Sequence, residues 1–494
     1  MSDDSLEGHP DGDGTGPLDR AHTALRGADL ARRHGRVSNL IGLIVEATGL
    51  QAEIGEVCTI GAGRNRPAVA AEVVGFRDGR TLLMGLGELH GIGPGTRVLA
   101  TGAPFRVDVG EQLLGRVLDG LGRPLDEATL EPMSTTRSTV AAPPAAMARR
   151  RIAERVCLGV RTLDTLVPCG RGQRLGIFAG SGVGKSSLLG MIARSTNASV
   201  NVIALVGERG REVREFIERD LGEALSRSVV IVATSDQPAL VRIKAAAVAT
   251  TIAEHFRDRG RDVLLMMDSV TRFAMAQREV GLAIGEPPAT RGYTPSVFAA
   301  LPRLLERSGT SAAGSITALY TVLVDGDDMN EPIADAVRAI LDGHVVLARP
   351  LAHAGHYPAI DVLQSVSRLL GEIAPSEIVD AGQRLRAALA KLREHEDLIA
   401  IGAYRSGGDP LLDAALSNRV QIDAFLRQTV HEPSDLDSAD AQLLALAASL
   451  DQAQIHTGEV LDVEEVIPGR ASAGETGPGA DAVSVAIPDL RLGV

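Results

Sequence analysis

The sequence predicts an α/β protein: a central domain built on a mainly parallel β-sheet with helices on both faces, preceded by a small β-barrel or sandwich and followed by a helical domain. Three observations carry that reading. The apolar runs Arg174 to Ala179, Asn201 to Val206, Ser228 to Ala233, Asp262 to Met267 and Ser315 to Val324 are continuous, and helical patterns such as Ala239 to Arg257 stand between them. Strands that are apolar on both faces belong to a sheet covered on both sides. Ahead of them, short β-prone runs are separated by glycine-rich turns, and after about Asp380 the strand patterns stop and helical spacing takes over.

In chain order, the first twenty residues hold six acidic side chains, four glycines and two prolines. That composition cannot bury enough apolar surface to offset the entropy of ordering, so residues 1–22 read as a disordered acidic arm. The amphipathic stretch Leu18 to Arg33, with Leu25 and Leu30 among alanines and charges, reads as a helix that either packs on its own domain or docks on a partner. Residues 23–107 form the β domain, with strands expected at Leu40 to Glu46, Val69 to Gly75 and Thr81 to Met84 and a turn at Gly91-Ile-Gly-Pro-Gly95. The connectors Leu114 to Asp126 and Ala141 to Met147 lead into the central domain, 108–380. Leu385, Leu389 and Leu392, then the leucines and alanines of Ala441 to Leu450, recur at helical spacing in the domain 381–468. Residues 469–494 turn Gly-rich and polar, a flexible tail.

Composition narrows the function. At 494 residues the chain exceeds what one core organises, so several domains are expected. A formal charge of −13 and 2% aromatics argue against a polyanion such as duplex DNA or a run of stacked bases as the main partner. Cys58, Cys157 and Cys169 show no C-x-x-C spacing and are odd in number, which speaks against a disulfide framework. With no apolar run of membrane length and no basic-then-apolar leader, the expected compartment is the cytoplasm.

One stretch carries chemistry by itself. Gly180-Ser181-Gly182-Val183-Gly184-Lys185-Ser186 follows an apolar strand and precedes a helical pattern that starts at Ser187. That is the setting of a phosphate-binding loop. Its glycines let successive backbone N–H groups turn toward phosphates, the helix N-terminus adds positive potential, Lys185 reaches the β- and γ-phosphates of ATP and Ser186 offers a hydroxyl to Mg²⁺. Ala179 occupies the place where the pattern usually has its first glycine, so that position must not need positive φ. The competing reading is a glycine-rich turn without a ligand, against which the flanking strand and helix weigh. Asp268 ends the apolar run Asp262-Val-Leu-Leu-Met-Met-Asp268; alone it is a helix cap or turn residue, and beside a phosphate loop it becomes a Mg²⁺ carboxylate. Glu208 ends another run in Val206-Gly-Glu-Arg-Gly210, where spacing leaves open whether it orients the attacking water or pairs with Arg209 or Arg211.

These motifs, joined by Gly207-Glu-Arg-Gly-Arg-Glu-Val213, Met267-Asp-Ser-Val-Thr-Arg-Phe-Ala274, Gly285-Glu-Pro-Pro-Ala-Thr-Arg-Gly-Tyr293 and Pro358-Ala-Ile-Asp-Val-Leu-Gln-Ser-Val-Ser367, make the chain resemble the flagellum-specific and type III secretion ATPases. Those are relatives of the catalytic β-subunit of rotary ATP synthase, and the likeness runs from about Arg36 to Gln428. It implies a P-loop NTPase core of RecA type, hydrolysing ATP with Mg²⁺. It also implies Glu208 as the base, Arg209 as its neighbour in the site, Asp268 on Mg²⁺, Arg272 near the γ-phosphate and Tyr357 stacked on adenine with Phe425 as a second wall. Arg368 would be an arginine finger reaching the next subunit's nucleotide, which makes a homohexameric ring the active form. Ser186 in place of threonine, and Ile401-Gly-Ala-Tyr-Arg-Ser-Gly-Gly-Asp-Pro410 in place of an acidic rotor-facing loop, point to the export branch.

The partners so implied are a regulatory stator-like flagellar protein at the N-terminal segment, export-gate and stalk proteins, and export substrates with their chaperones. The site of action would be the inner face of the cell membrane, with peripheral attachment and no nucleic acid. Competing readings are an injectisome ATPase, a rotary synthase subunit, an RNA motor of the transcription-termination type, and a non-catalytic ring subunit, which would lack the base at Glu208.

Overall fold

A computed structural model describes residues 34–61, 68–126, 133, 135–324, 326 and 328–461. The acidic arm, the stretch from Leu18 to Arg33 and the tail 469–494 lie outside the described residues.

Six strands, β1 (His34–Ile41), β2 (Ile44–Thr48), β3 (Glu56–Ile60), β4 (Val69–Arg77), β5 (Arg80–Gly85) and β6 (Arg97–Pro104), close into an antiparallel barrel in the order β1-β2-β5-β4-β3-β6. Of the two forms the sequence allowed, it is the barrel, and closure leaves no free strand edge. Alternate residues point inward, as period-two geometry requires: Val37, Val45, Cys58, Ile60, Ala71, Val73, Leu83 and Val98 fill the interior. The run Leu40 to Glu46, expected as one strand, spans a hairpin instead. Gly42 takes φ 59° between β1 and β2, and a turn of two residues is invisible in a hydrophobicity pattern. Asp78 (φ 50°) and Gly79 (φ 72°) make the equally tight turn from β4 to β5, the conformation that suits an Asp-Gly hairpin.

Short pairs β7 (Arg106–Asp108) with β9 (Thr136–Ser138) and β10 (Arg155–Val156) with β11 (Cys169–Gly170) bracket the entry to the central sheet. Between them, β8 (Arg116–Asp119) leaves the connector and becomes an edge strand of that sheet, an element that four residues inside a glycine-rich stretch do not announce. The sheet's remaining strands are β12 (Arg174–Ala179), β13 (Val200–Glu208), β14 (Ser228–Thr234), β15 (Asp262–Asp268), β17 (Ser315–Leu323), β18 (Gly343–Leu347) and β19 (Ile360–Ser367), with β16 (Gly309–Thr310) hydrogen-bonded to β17. Their order is β19-β18-β12-β17-β15-β13-β14-β8. All neighbours run parallel except β19, which runs antiparallel to β18 at the other edge.

Both faces are covered, which is why the strands read as unbroken apolar runs. Val200, Val202, Ala204 and Val206 of β13, with Val263, Leu265 and Met267 of β15, share one core with helices Ala239–Arg257, Val270–Ala283 and Pro295–Leu305. Ile203, Leu205, Leu264 and Met266 face the other way, onto the helix Lys185–Ser195. The C-terminal helices Ser376–Glu394, Pro410–Ser417, Arg419–Leu426 and Leu436–Leu461 bury Leu385, Ala388, Leu443 and Leu450 in that same second core. The helical region is thus packed against the face that holds the glycine loop.

The stretch Ile401 to Pro410 has a physical role in this packing. Asp409 caps helix Pro410–Ser417 by accepting from the N–H groups of Leu411 (3.0 Å) and Leu412 (3.2 Å), and Pro410 sits at the first helical turn, where its missing N–H costs nothing. Tyr404 donates its hydroxyl to Asp413 (3.0 Å), which also accepts from the Gly407 N–H (2.7 Å).

Candidate active site

The sheet brings the sequence-predicted residues to one place because parallel strands end together. Ala179 ends β12, Glu208 ends β13 and Asp268 ends β15, all at the carboxyl edge, where open α/β sheets bind ligands. Ala179 is the last residue of its strand and is not among the positive-φ positions, so alanine serves there. Gly182 (φ 79°) and Gly184 (φ 89°) carry the left-handed turn that starts helix Lys185–Ser195. Val183, between them, is 2% exposed and belongs to the second core.

Lys185 is clamped by two carboxylates. Its Nζ donates to Asp268 Oδ2 and lies 3.8 Å from Glu208 Oε1. All three side chains are largely buried, Asp268 most of all at 4%. Thr321, one strand over on β17, donates to Asp268 Oδ1 at 2.7 Å and fixes that carboxylate. Ser269 caps helix Val270–Ala283 by accepting from the Arg272 N–H (3.3 Å), which frees Asp268 from the cap role. Glu208 pairs with neither of its arginine neighbours: Arg209 is exposed and pairs with Glu212 (3.3 Å), and Arg211 pairs with Glu215 (2.9 Å). Burial and the nearby charge of Asp268 push the Glu208 carboxyl up to about 7, against the opposing pull of Lys185.

A cleft of 440 Å³ runs over the loop, lined by Gly180, Ser181, Gly182, Gly184, Lys185, Ser186 and Ser187 on one side and by Glu208, Arg209 and Arg272 on the other. The Nε of Arg272 is buried without a hydrogen-bond partner, a donor that an anion in the cleft would satisfy. Sharing Gly182, Gly184 and Ser187, a second cavity of 650 Å³ continues around the loop between Leu188, Met191, Tyr357 and Pro358 on one wall and Arg427, Gln428, Thr429 and Val430 on the other. Tyr357 is half-exposed, and a methyl group added at Gly184 would sit 3.3 Å from its ring.

Phe425 does not join that cavity's lining, contrary to the second-wall reading. It is 5% exposed, with the guanidinium of Arg161 5.9 Å from its ring centre, because it belongs to the apolar core that the C-terminal helices share with the central domain. Arg368 also stays away from the loop of its own chain. Ser367 pairs with Gly343, and His344 lies level with Gly176, so Arg368 sits toward the opposite end of the sheet from Ala179, exposed, with Nη2 3.4 Å from the Arg338 carbonyl. Residues that the sequence did not single out are Thr321, Ser269 and the wall Arg427 to Val430; only the serine before a helical run was a legible signal.

The residues fit a magnesium nucleotide. Among the described residues no group of three or more His, Cys, Asp or Glu side chains stands ready to hold a metal. A single carboxylate, Asp268, with the hydroxyl of Ser186 from the loop, suits a cation whose other ligands are phosphate oxygens and water.

A glycine loop, strand ends gathered at one edge of a parallel sheet and paired carboxylates define a P-loop nucleoside triphosphatase on a RecA-like sheet. Comparison with known proteins specifies it. Residues 159–367 match the ATP synthase alpha/beta family nucleotide-binding domain, residues 37–102 the beta-barrel domain of the same family, and residues 374–445 the T3SS EscN ATPase C-terminal domain. The chain is 55% identical over 423 residues to the flagellum-specific ATP synthase of Bacillus subtilis, covering 85% of this chain and 97% of that protein. It is 51% identical over 422 residues to a type 3 secretion system ATPase of Xanthomonas euvesicatoria, covering 85% and 95%. The assembled ATPase EscN of the enteropathogenic E. coli type III secretion system superposes with a TM-score of 0.80 at 45% identity, covering 84% of this chain and 100% of that one. The chain belongs to the flagellum-specific and type III secretion ATPases of the ATP synthase alpha/beta family, and it is an ATP-hydrolysing enzyme.

Proposed function

We propose that this chain powers protein export in flagellar assembly, hydrolysing ATP as a homohexameric ring that releases and unfolds export substrates. The observation that carries the chemistry is the convergence of Lys185, Glu208 and Asp268 beneath the glycine loop. Gly180 to Gly184 and Lys185 hold the β- and γ-phosphates, with Ser187 at the shared edge of the two cavities and Arg272 directed to the γ-phosphate. Ser186 and Asp268 would hold Mg²⁺, which would neutralise charge on the phosphate oxygens. Glu208, poised near neutrality, orients the attacking water and accepts its proton, with Arg209 beside it at the mouth of the cleft. Tyr357 stacks on the adenine.

Arg368 completes the site of a neighbouring subunit, since its own chain places it at the far end of the sheet. Names among the relatives support the export role, and one solved relative is described as assembled and another as in complex with its central stalk EscO. By the same reasoning the partners are a stalk protein, export-gate proteins, chaperoned substrates and a stator-like protein at the N-terminal segment. Attachment is to the cytoplasmic face of the membrane; no helix among the described residues is long and apolar enough to cross one. Isolation of the chain with its native partners tests the reading. Flagellar stator or export-gate proteins are expected, injectisome proteins would move the role to the secretion branch, and rotor subunits of an ATP synthase would overturn it.

A further inference from the structure

Arg161 opens the short helix Arg161–Leu166 and is 6% exposed, yet its guanidinium finds every partner in the C-terminal region. Nε donates to the carbonyl of Phe425 (2.9 Å), Nη2 to those of Arg427 (2.7 Å) and Ala424 (3.3 Å), and Nη1 to the carboxylate of Glu432 (2.8 Å). The carbonyls of Ala424 and Phe425 are among the last of helix Arg419–Leu426, which find no acceptor role inside their own helix, and a cation there also meets the negative end of the helix dipole. The backbone N–H of Arg161 donates to Gln428 Oε1 (2.9 Å), and Gln428 Nε2 donates onward to the carbonyls of Gly159 (2.9 Å) and Glu432 (3.0 Å).

What Arg161 holds is the wall of the larger cavity facing Tyr357. Arg427, Gln428, Thr429, Val430 and Glu432 all line it. The wall has two other ties: the Gln428 N–H donates to the carbonyl of Tyr357 (3.0 Å), and Arg194, from the phosphate-loop helix, donates to the carbonyl of Val430 (2.7 Å). We infer that Arg161 is a positioning residue for the nucleotide base, fixing the wall 427–432 at the right distance from Tyr357, so that the grip on the adenine end is set by the docking of the helical region. The inference rests on the reading that the base occupies this cavity. A wall ordered in advance loses no freedom when the base enters, so its order appears as affinity. Lysine would keep the charge but not the planar fork that reaches four acceptors at once.

The test separates the two ends of the nucleotide. Binding of ADP and of tripolyphosphate, both with Mg²⁺, is measured by calorimetry on the wild-type chain and on Arg161→Lys, Glu432→Gln and Tyr357→Ala. For Arg161→Lys, ADP affinity is expected to fall about tenfold while tripolyphosphate affinity holds, and KM for ATP to rise by a similar factor with kcat within about twofold. Glu432→Gln, whose side chain is 36% exposed, takes the charge from one tie with little risk to folding and is expected to cost about threefold in ADP affinity alone. Unchanged ADP affinity in both variants, or an equal loss for ADP and tripolyphosphate, overturns the inference. Should Tyr357→Ala leave ADP binding intact, the base-cavity reading itself is wrong; a loss in Tyr357→Ala with none in the other two sinks only the role of Arg161.

Discussion

At the scale of single residues, the proposed chemistry turns on Glu208. Its carboxyl is held at about 7 by burial and by Asp268, well above an ordinary glutamate, and a base works only in its ionised form. Steady-state phosphate release is therefore expected to climb as pH rises through about 7 and to flatten above it; activity that fell across this range would place the base elsewhere. Replacing Glu208 by glutamine keeps the size and removes the base, so turnover should drop by roughly 10²- to 10⁴-fold with ATP still bound. Near wild-type turnover in that variant would refute the assignment. The sequence named Glu208, Asp268 and Lys185, but spacing could not show that Glu208 turns to Lys185 and away from Arg209 and Arg211. That choice depends on β13 and β15 lying side by side, a contact 63 residues apart in the chain, as the pairing of Leu205 with Asp268 shows.

At the scale of elements, two packing contacts fix the central domain, one on the phosphate-loop helix and one beside the starts of β15 and β17. Helix Lys185–Ser195 crosses the turn Phe216–Leu221 at Gly190, where an added Cβ would lie 2.8 Å from both Cβ and the carbonyl oxygen of Asp220. Gly190→Ala is expected to cost about 1–3 kcal/mol by overpacking and to raise KM for ATP, because the same helix carries Lys185. Thermal unfolding and steady-state kinetics check both, and an unchanged Tm would show that the contact yields. The second contact is the buried pair Arg307 and Glu254, with side chains 5% and 6% exposed, bonded at 2.9 and 2.7 Å. Arg307 also donates to Thr251 Oγ1 (2.9 Å) and to the carbonyl of Thr139 (2.9 Å), joining helix Ala239–Arg257 to the residue that follows β9. Arg307→Ala leaves a carboxylate buried and alone, so a loss of about 3–5 kcal/mol, read as a fall of roughly 10 °C in Tm, is expected. A shift within error would mean that water reaches Glu254 in the variant.

Elements were legible where their periodicity was long. Ala239 to Arg257 is a helix over the bounds its pattern gave, and the five apolar runs are strands. Short elements escaped: β8 is four residues, and the β1–β2 hairpin hides in one apolar run, since two-residue turns and edge strands leave no period to count.

At the scale of the whole molecule, the position of Arg368 makes a prediction that one chain cannot satisfy. It lies at the end of β19 away from its own glycine loop, so the proposed part of its guanidinium in hydrolysis requires another subunit to present a nucleotide to it. Arg368→Ala is expected to lose roughly 10³-fold or more in turnover with ATP affinity little changed, and wild-type turnover per subunit should rise with protein concentration. A flat concentration profile together with a harmless Arg368→Ala would sink the shared site.

The sequence by itself determined the class of fold, the nucleotide and the motif residues of the phosphate site, because these depend on local patterns: a strand that is apolar throughout, a loop that needs glycine at Gly182 and Gly184, a lysine fixed one residue after it. The tertiary structure alone decided which side chains face each other across the cleft. It turned Phe425 into the core beneath Arg161, away from the cavity beside Tyr357, and it made that cavity's far wall from Arg427 to Val430, more than 240 residues after Lys185. Those choices come from the order of strands in the sheet and the docking of the C-terminal helices on one of its faces, and contacts between segments so distant in the chain leave no trace in the spacing of either.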